Sequence, residues 1–375
     1  MEGFDGLGSG GQLHGKTGSL RTKDRLWQLA ALQHGDNRVM HANDLEPGGH
    51  PYDALTPDVV LDALDATGLR GDGRLLALNS YENRVYLARL EDGGAVVLKF
   101  YRPGRWSEAQ IAEEHDFALE LASAELPMVA PLSLQGRTLH RHAGFLYSVS
   151  PARGGRRPEL DDPEVLEWTG RLLARLHQVG SARGFVQRPA LDAETFGSEP
   201  LLWLPASGMI PPDAEGRWRE AAQAALALAS AAMAACGKPD GIKTLRLHGD
   251  CHPGNILWTP DAGPHFVDLD DSRSGPAVQD LWMLLSGDRQ QQQRQLGALL
   301  DGYETLRDFD RRELALIEPL RTLRLLHYSA WLARRWSDPI FPPNFPWFGS
   351  AAYWQEQAAI LWQQVEAMEQ PPLVA

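Results

Sequence analysis

Asp250, Asn255 and Asp268 are the residues whose types and spacing could do chemistry together. The first two lie in the run Leu245-Arg246-Leu247-His248-Gly249-Asp250-Cys251-His252-Pro253-Gly254-Asn255-Ile256-Leu257-Trp258; the third lies in Phe266-Val267-Asp268-Leu269-Asp270-Asp271. Asp250 supplies a carboxylate that can take the proton of an attacking hydroxyl. Asn255 offers an amide oxygen from the far end of a tight Pro-Gly turn. Asp268 comes from the next apolar segment and can meet Asn255 across a metal. A carboxylate base with hard oxygen donors suits phosphoryl transfer assisted by Mg2+, which needs little more than a cation for the phosphates left behind. Apolar residues flank both polar clusters, which places them at the ends of short buried strands.

Other chemistry fits the same residues less well. His248 and His252 around Asp250 suggest a hydrolase-type metal site, but His265 is the only further donor nearby and the ligand set stays incomplete. His248 is better read as a buried residue that shapes the loop through the backbone. Cys251 has no base arranged for it and reads as a small loop residue. Asp270 could add to metal binding in preference to Asp271, since neighbouring strand residues face opposite sides. Asp280 opens an apolar helix, where it would cap that helix or brace the loop at Asp250.

The surrounding pattern divides into two parts. Thr56-Pro57-Asp58 is a helix entry, followed by Val59, Val60, Ala63 and Leu64 at helical spacing and closed by Gly68. Arg84 to Leu90 and Ala95 to Phe100, joined through Asp92-Gly93-Gly94, predict a β-hairpin. Ser107 to Ser123 is helical, with Ile111, Glu114, Phe117, Ala118 and Leu121 on one face. Strands are expected at Arg137 to His140 and Phe145 to Val149, ahead of the break Ser150-Pro151-Ala152-Arg153-Gly154-Gly155. Beyond it the chain turns helical: Pro163 to Val179, an Ala-rich stretch at Ala221 to Cys236, and most of Val278 to Met368. The expected fold is α+β and bilobal, with a small antiparallel lobe over 51–151 and a mainly helical lobe over 152–375 around a cleft. Residues 1–50 read as a flexible extension in which Arg25 to Leu32 could make a helical turn or two and Met40 could be an alternative start.

The string H-G-D-x-H-x-G-N-I-L-W followed by F-V-D-L-D-D resembles the catalytic and metal-binding loops of the aminoglycoside phosphotransferase and choline-kinase branch of the protein-kinase superfamily. Four further segments, Leu78 to Tyr86, Val97 to Pro103, Gly275 to Leu285 and Asn344 to Trp347, are similar to the bacterial stress response kinase A proteins, and the likeness spans roughly residues 52 to 372. The resemblance implies a cytoplasmic, monomeric serine/threonine protein kinase using ATP and Mg2+, acting in envelope or redox stress and countering programmed cell death; the expected acceptors are serine and threonine hydroxyls of proteins, the chain itself among them. It implies Asp250 as catalytic proton acceptor, with Asn255 and the catalytic Asp268 as Mg2+ ligands. Lys99 corresponds to the lysine on the α- and β-phosphates, and Ser80 to an ATP contact. Glu114 is the choice for the partner of Lys99, since it shares a helix face with Phe117 and Leu121; Glu113 is the fallback.

Two departures from kinases at large stand out. Asn79 to Asn83 contains no glycine, so the loop over the nucleotide must use side chains such as Ser80 and Asn83. The stretch from Asp268 to Asp280 leaves little room for a long activation segment. A small alcohol or amino-alcohol acceptor on the same fold, or a nucleotide-binding pseudokinase module, are therefore alternative readings. The intact set Lys99, Asp250, Asn255 and Asp268 weighs against the last.

Composition narrows the partners. The formal net charge of −13 argues against a nucleic-acid partner, which needs a basic face. Two cysteines, Cys236 and Cys251, make neither a disulfide framework nor a metal pair, and suit a reducing cytoplasm. No stretch reads as a signal peptide or membrane span; the Ala-rich segment is too short and too weakly apolar.

Overall fold

The structure, a computed structural model, describes residues 50–374; the expectations for a flexible extension, a helical turn at Arg25 to Leu32 and a start at Met40 lie outside the described residues. Helix α1 (Pro57–Ala66) starts as its residues dictate, with the Thr56 hydroxyl accepting from the Val59 N–H at 3.3 Å and proline in the first turn. Its buried face, Val60, Ala63 and Leu64, packs on a five-stranded antiparallel sheet of order β1-β2-β3-β5-β4. The strands are β1 (Gly71–Leu78), β2 (Arg84–Leu90), β3 (Ala95–Phe100), β4 (His140–His142) and β5 (Phe145–Pro151). The β2–β3 hairpin turns where expected, Gly93 taking φ +88° and the Gly94 N–H bonding the Asp92 carboxylate at 2.9 Å.

Two strands differ from expectation. β1 went unanticipated because Gly71-Asp72-Gly73-Arg74 shows no alternation, the register shifts between Gly71 and Leu75, and the strand is a mostly exposed edge. The strand expected at Arg137 to His140 begins only at His140; Arg137 makes an isolated bridge with Leu134. Ala143 and Gly144, both at positive φ, form the tight turn that sets this register with β5.

Helix α2 (Glu108–Ser123) opens with a reciprocal capping box between Ser107 and Gln110. It belongs to both lobes: it follows the sheet, yet Phe117, Ala118 and Leu121 are buried in the core of the helical lobe. That lobe comprises α3 (Pro163–Gly180), a π-turn at Glu194–Ser198, α4 (Glu199–Ala206), α5 (Pro212–Met233), α6 (Val278–Trp282), α7 (Arg289–Tyr303), α8 (Ile317–Arg334), α9 (Phe341–Asn344) and α10 (Ala351–Met368). The Ala-rich helix starts and ends earlier than the pattern suggested, at Pro212 and Met233. Two small sheets interrupt the helices, β6 (Leu245–Leu247) with β9 (Arg273–Gly275) and β7 (Ile256–Thr259) with β8 (Gly263–Phe266). They carry the loops of interest into the cleft between the lobes. The bilobal α+β fold is thus as expected, and among the described residues no helix is long and apolar enough to cross a membrane.

Candidate active site

The loop after β6 is held by Asp280 near the start of α6. Its buried carboxylate accepts from the N–H groups of His248 and Gly249, both at 2.8 Å, and meets His177 Nε2 at 3.1 Å. Bracing the loop is therefore what Asp280 does. His248 is fully buried and its Nε2 lies 2.9 Å from the Val267 carbonyl, tying this loop to the one that carries Asp268. Gly249 has φ +84°, and a Cβ there would stand 2.2 Å from the Asp271 carbonyl oxygen. Only glycine lets the two loops approach this closely. Cys251 is buried, and burial, followed by the charges of Asp280 and Asp250, pushes its thiol well up. It is a packing residue.

Asp250 points into the cleft with its two oxygens differently engaged. Oδ1 meets Arg324 Nη2 at 2.8 Å, while Oδ2 is 3.4 Å from both His252 Nε2 and Asn255 Nδ2. Burial works against the charged form, but Arg324 and His252 outweigh it and hold the carboxyl well below the usual range. Asn255 ends a short 3-10 turn, Pro253–Asn255, whose entry is fixed by His252 Nδ1 accepting from the Gly254 N–H at 2.9 Å. Its Nδ2 donates to the Asp250 carbonyl at 2.9 Å, which leaves the amide oxygen as the end able to serve a metal. Asp268 adopts a left-handed backbone, φ 63° and ψ 74°, and its side chain is 47% exposed to the cleft.

Lys99 on β3 gathers three carboxylates, with Nζ at 2.9 Å from Asp268, 3.1 Å from Asp270 and 3.4 Å from Glu114. Burial disfavours the ammonium, yet these acids hold it well above its ordinary range. Glu114 is thus the residue paired with Lys99. Burial raises its carboxyl despite Lys99 and Arg188. The fallback, Glu113, faces elsewhere and accepts from the N–H groups of Val186, Gln187 and Arg188 at 2.6, 2.8 and 2.7 Å. Asp270 has both oxygens on cations, Lys99 at 3.1 Å and Arg105 at 3.1 Å.

Arg105, Arg188 and Arg324 escaped the sequence reading. Arg188 donates to the carbonyls of Ser272 (3.0 Å), Leu269 (3.2 Å) and Asp270, stacks over Trp106 at 4.3 Å and approaches Glu114 at 3.8 Å. It couples α2 to the loop after Asp268. No local pattern marks such a residue, because its partners come from distant segments.

Lys99, Arg105, Asp250, Asn255, Asp268 and Asp270 line one cleft of about 380 Å³, together with Ser80 and the apolar wall Val85, Val97, Val129, Leu257 and Val267. Residues 74–317 match the phosphotransferase enzyme family (APH). The serine/threonine protein kinase RdoA of Salmonella typhimurium (strain LT2) is 47% identical over 322 residues, which are 86% of this chain and 96% of that protein. Stress response kinase A of Escherichia coli (strain K12) is 46% identical over the same spans. The chain belongs to the stress response kinase A family. It is a phosphotransferase of kinase type with an ATP-binding fold. The solved microcompartment-associated aminopropanol kinase shares the fold, with TM-score 0.63 and 18% identity over 83% of this chain and 98% of that one.

In this stress response kinase the glycine-free loop is held by side chains of its own lobe and of the helical lobe across the cleft. Asn83 Oδ1 accepts from the Arg102 N–H at 3.1 Å, and Tyr81 packs edge-on against Phe345 with centroids 5.0 Å apart. Glu82 meets Arg335 at 2.5 Å, Arg105 at 2.9 Å and Arg102 at 3.0 Å, and accepts from Trp331 Nε1 at 2.5 Å. Asp338 takes Arg84 at 3.0 Å and Arg102 at 2.6 Å. The segment that in other kinases depends on backbone N–H groups is here latched to the helical lobe.

Glu313 supports the site from below by accepting from the Val278 N–H at 2.8 Å at the start of α6. Burial lifts its carboxyl from 4.5 to about 7, with Asp310 adding and Arg307 opposing. The folded kinase then binds a proton that the unfolded chain releases, so this stabilisation is present below pH 4.5 and is lost as pH rises to about 7. Replacing Glu313 with Gln keeps the acceptor and removes the titration. From pH 5 to pH 8 the Gln variant should gain on the wild type by on the order of 2 kcal/mol in urea unfolding. A difference that does not move with pH would exclude the effect.

Proposed function

We propose that the chain transfers the γ-phosphoryl group of ATP to serine or threonine hydroxyls of proteins, itself included. The convergence of Lys99, Asp250, Asn255 and Asp268 on one cleft is the observation that carries this reading. Asp250 accepts the hydroxyl proton as the new P–O bond forms; Arg324 and His252 keep it ionised until then. Lys99, steadied by Glu114, meets the phosphates that stay with the nucleotide. Ser80 contacts them from the loop above.

Among the described residues no three His, Cys, Asp or Glu side chains gather into a metal cage. One amide oxygen and one carboxylate are the partial donor set that Mg2+ completes with water and phosphate oxygens, and Asn255 and Asp268 fit it. When bound, the ion neutralises charge on the transferring phosphate. Residues 51–151 would form the nucleotide-covering lobe and 152–375 the acceptor lobe of a cytoplasmic monomer.

A small-alcohol acceptor is the second reading, favoured by the short path from Asp268 to α6, which holds one 3-10 turn and β9 in place of a long activation segment. Incubation with γ-labelled ATP, Mg2+ and casein separates the two. Label is expected on casein and on the chain itself, and its absence from every protein acceptor would sink the protein-kinase reading.

A further inference from the structure

Strand pairing continues one residue past the end of β3, where the Tyr101 N–H donates to the Leu146 carbonyl at 2.9 Å. Alternation puts Tyr101 on the same face as Lys99, and Ser148 joins them because it stands opposite Lys99 on β5. The Tyr101 hydroxyl lies 2.7 Å from His115 Nε2 on α2 and 3.3 Å from Ser148 Oγ. His115 Nδ1 in turn lies 2.9 Å from Thr138 Oγ1. Tyr101, His115 and Ser148 are all buried, behind the wall of the cleft rather than in its lining. Phenylalanine or leucine could fill this space with no polar atom to satisfy, so a paired network here calls for a use beyond packing.

Tyr101 has a handle on each member of the Lys99–Glu114 pair. The Lys99 ammonium sits over its ring, 4.9 Å from the centroid. Its hydroxyl is bonded to His115, the residue after Glu114 on α2. Among its carboxylates Lys99 leans away from Glu114: Asp268 and Asp270 hold Nζ at 2.9 and 3.1 Å, against 3.4 Å for Glu114. The ring carries no formal charge, so its hold on the ammonium persists whatever those carboxylates engage. His115 adds no opposing charge, since burial, followed by Lys99, Arg188 and His140, pushes its imidazole down to about 3.

We propose that Tyr101 is a positioning residue for Lys99. Its ring seats the ammonium, and its hydroxyl, through His115, fixes the turn of α2 that carries Glu114. The pair is thereby set before a nucleotide arrives. This rests on the reading above in which Lys99 meets the phosphates that stay with the nucleotide.

The test compares the full chain with Tyr101→Phe and Tyr101→Leu, each with Lys99 intact and in a Lys99→Ala background. Mg·ATP affinity is read by titration and turnover by ADP formation with casein present, which counts transfer to any acceptor. Tyr101→Leu should weaken Mg·ATP binding by about tenfold, the scale of a desolvated cation–π contact. Tyr101→Phe keeps the ring, so affinity should hold within about twofold while ADP formation slows about fivefold, the scale of one buried hydrogen bond. With Lys99 replaced by alanine, neither substitution should add a further loss. A merely structural role would cost the same in both backgrounds, and that result would overturn the proposal. So would equal affinity losses in Phe and Leu, which exclude the ring, or unslowed turnover in Phe, which excludes the hydroxyl. If the Leu variant does not fold, Tyr101→Phe in the two backgrounds still decides by turnover. If Lys99→Ala alone leaves Mg·ATP affinity unchanged, the phosphate reading of Lys99 fails and takes the proposal with it. A clear loss there with none at Tyr101 overturns the proposal alone.

Discussion

Asp250→Asn is expected to lower single-turnover phosphoryl transfer by about a thousandfold while Mg·ATP affinity stays within a few-fold, because a general base acts on the chemical step and not on the nucleotide cradle. Asparagine keeps the shape of the side chain and an oxygen toward Arg324, so the 2.8 Å contact retains an acceptor. What disappears is the proton acceptor. Asp250→Ala should lose as much transfer and also some stability, since it strands Arg324 beside the loop; removing one partner of a partly buried ion pair costs more than the pair contributes. Nucleotide titration and rapid-quench transfer on the same samples separate the two effects. Normal turnover in the Asn variant would overturn the assignment of Asp250.

The latch that closes the cleft explains how a glycine-free loop can cover a nucleotide. A Gly-rich loop presents backbone N–H groups and tolerates any approach because it lacks side chains. Here Tyr81 and Glu82 are anchored on Phe345, Trp331 and Arg335, all of the helical lobe, and Ser80 lines the cleft beside Asn79 and Asn83. Rigidity supplied by the opposite lobe replaces adaptability of the backbone. The same economy appears below the site, where Glu113 and Arg188 fasten α2 to the segments at 186–188 and 269–272. No phosphorylation-controlled segment is needed to set the Lys99–Glu114 pair, because its helix is already packed into the larger core.

Legibility in the sequence followed the range of the interactions. Thr56 and Ser107 were readable as caps because a cap is decided within four residues. Asp250 and Asn255 were readable because one tight turn joins them. Glu114 was readable as a buried acid, since Phe117 and Leu121 define its face within one helix, whereas Glu113 became a clamp only through a segment some seventy residues later. Arg105, Arg188 and Arg324 carry no local pattern at all. Their partners converge only after folding, and a lone arginine in a sequence looks the same whether it is solvated or buried. β1 was missed for a related reason: an exposed edge strand has no buried face to impose alternation and exists through its pairing with β2.

Asp268→Ala should weaken Mg2+-dependent nucleotide binding by more than about tenfold while leaving metal-free binding unchanged or tighter, because on the proposed reading the carboxylate serves two cations that respond oppositely. Its exposed carboxylate is the donor proposed for Mg2+, and it also neutralises Lys99 at 2.9 Å. Removing it deprives the metal of a ligand but frees part of the lysine charge for phosphate oxygens. Alanine adds a backbone effect, since φ 63° costs roughly 1–2 kcal/mol for a residue with a Cβ and no compensating local hydrogen bond. Asp268→Asn controls for that, as asparagine tolerates the left-handed region and retains one oxygen. Isothermal titration of both variants with ATP, with and without Mg2+, gives four affinities against the wild-type pair. If backbone strain alone mattered, Asn would behave as wild type and Ala would lose binding with and without metal alike. If the carboxylate is the ligand, both variants lose the Mg2+-dependent gain and neither loses metal-free affinity. Unchanged Mg·ATP affinity in both would remove Asp268 from the metal site and leave Lys99 as its only role.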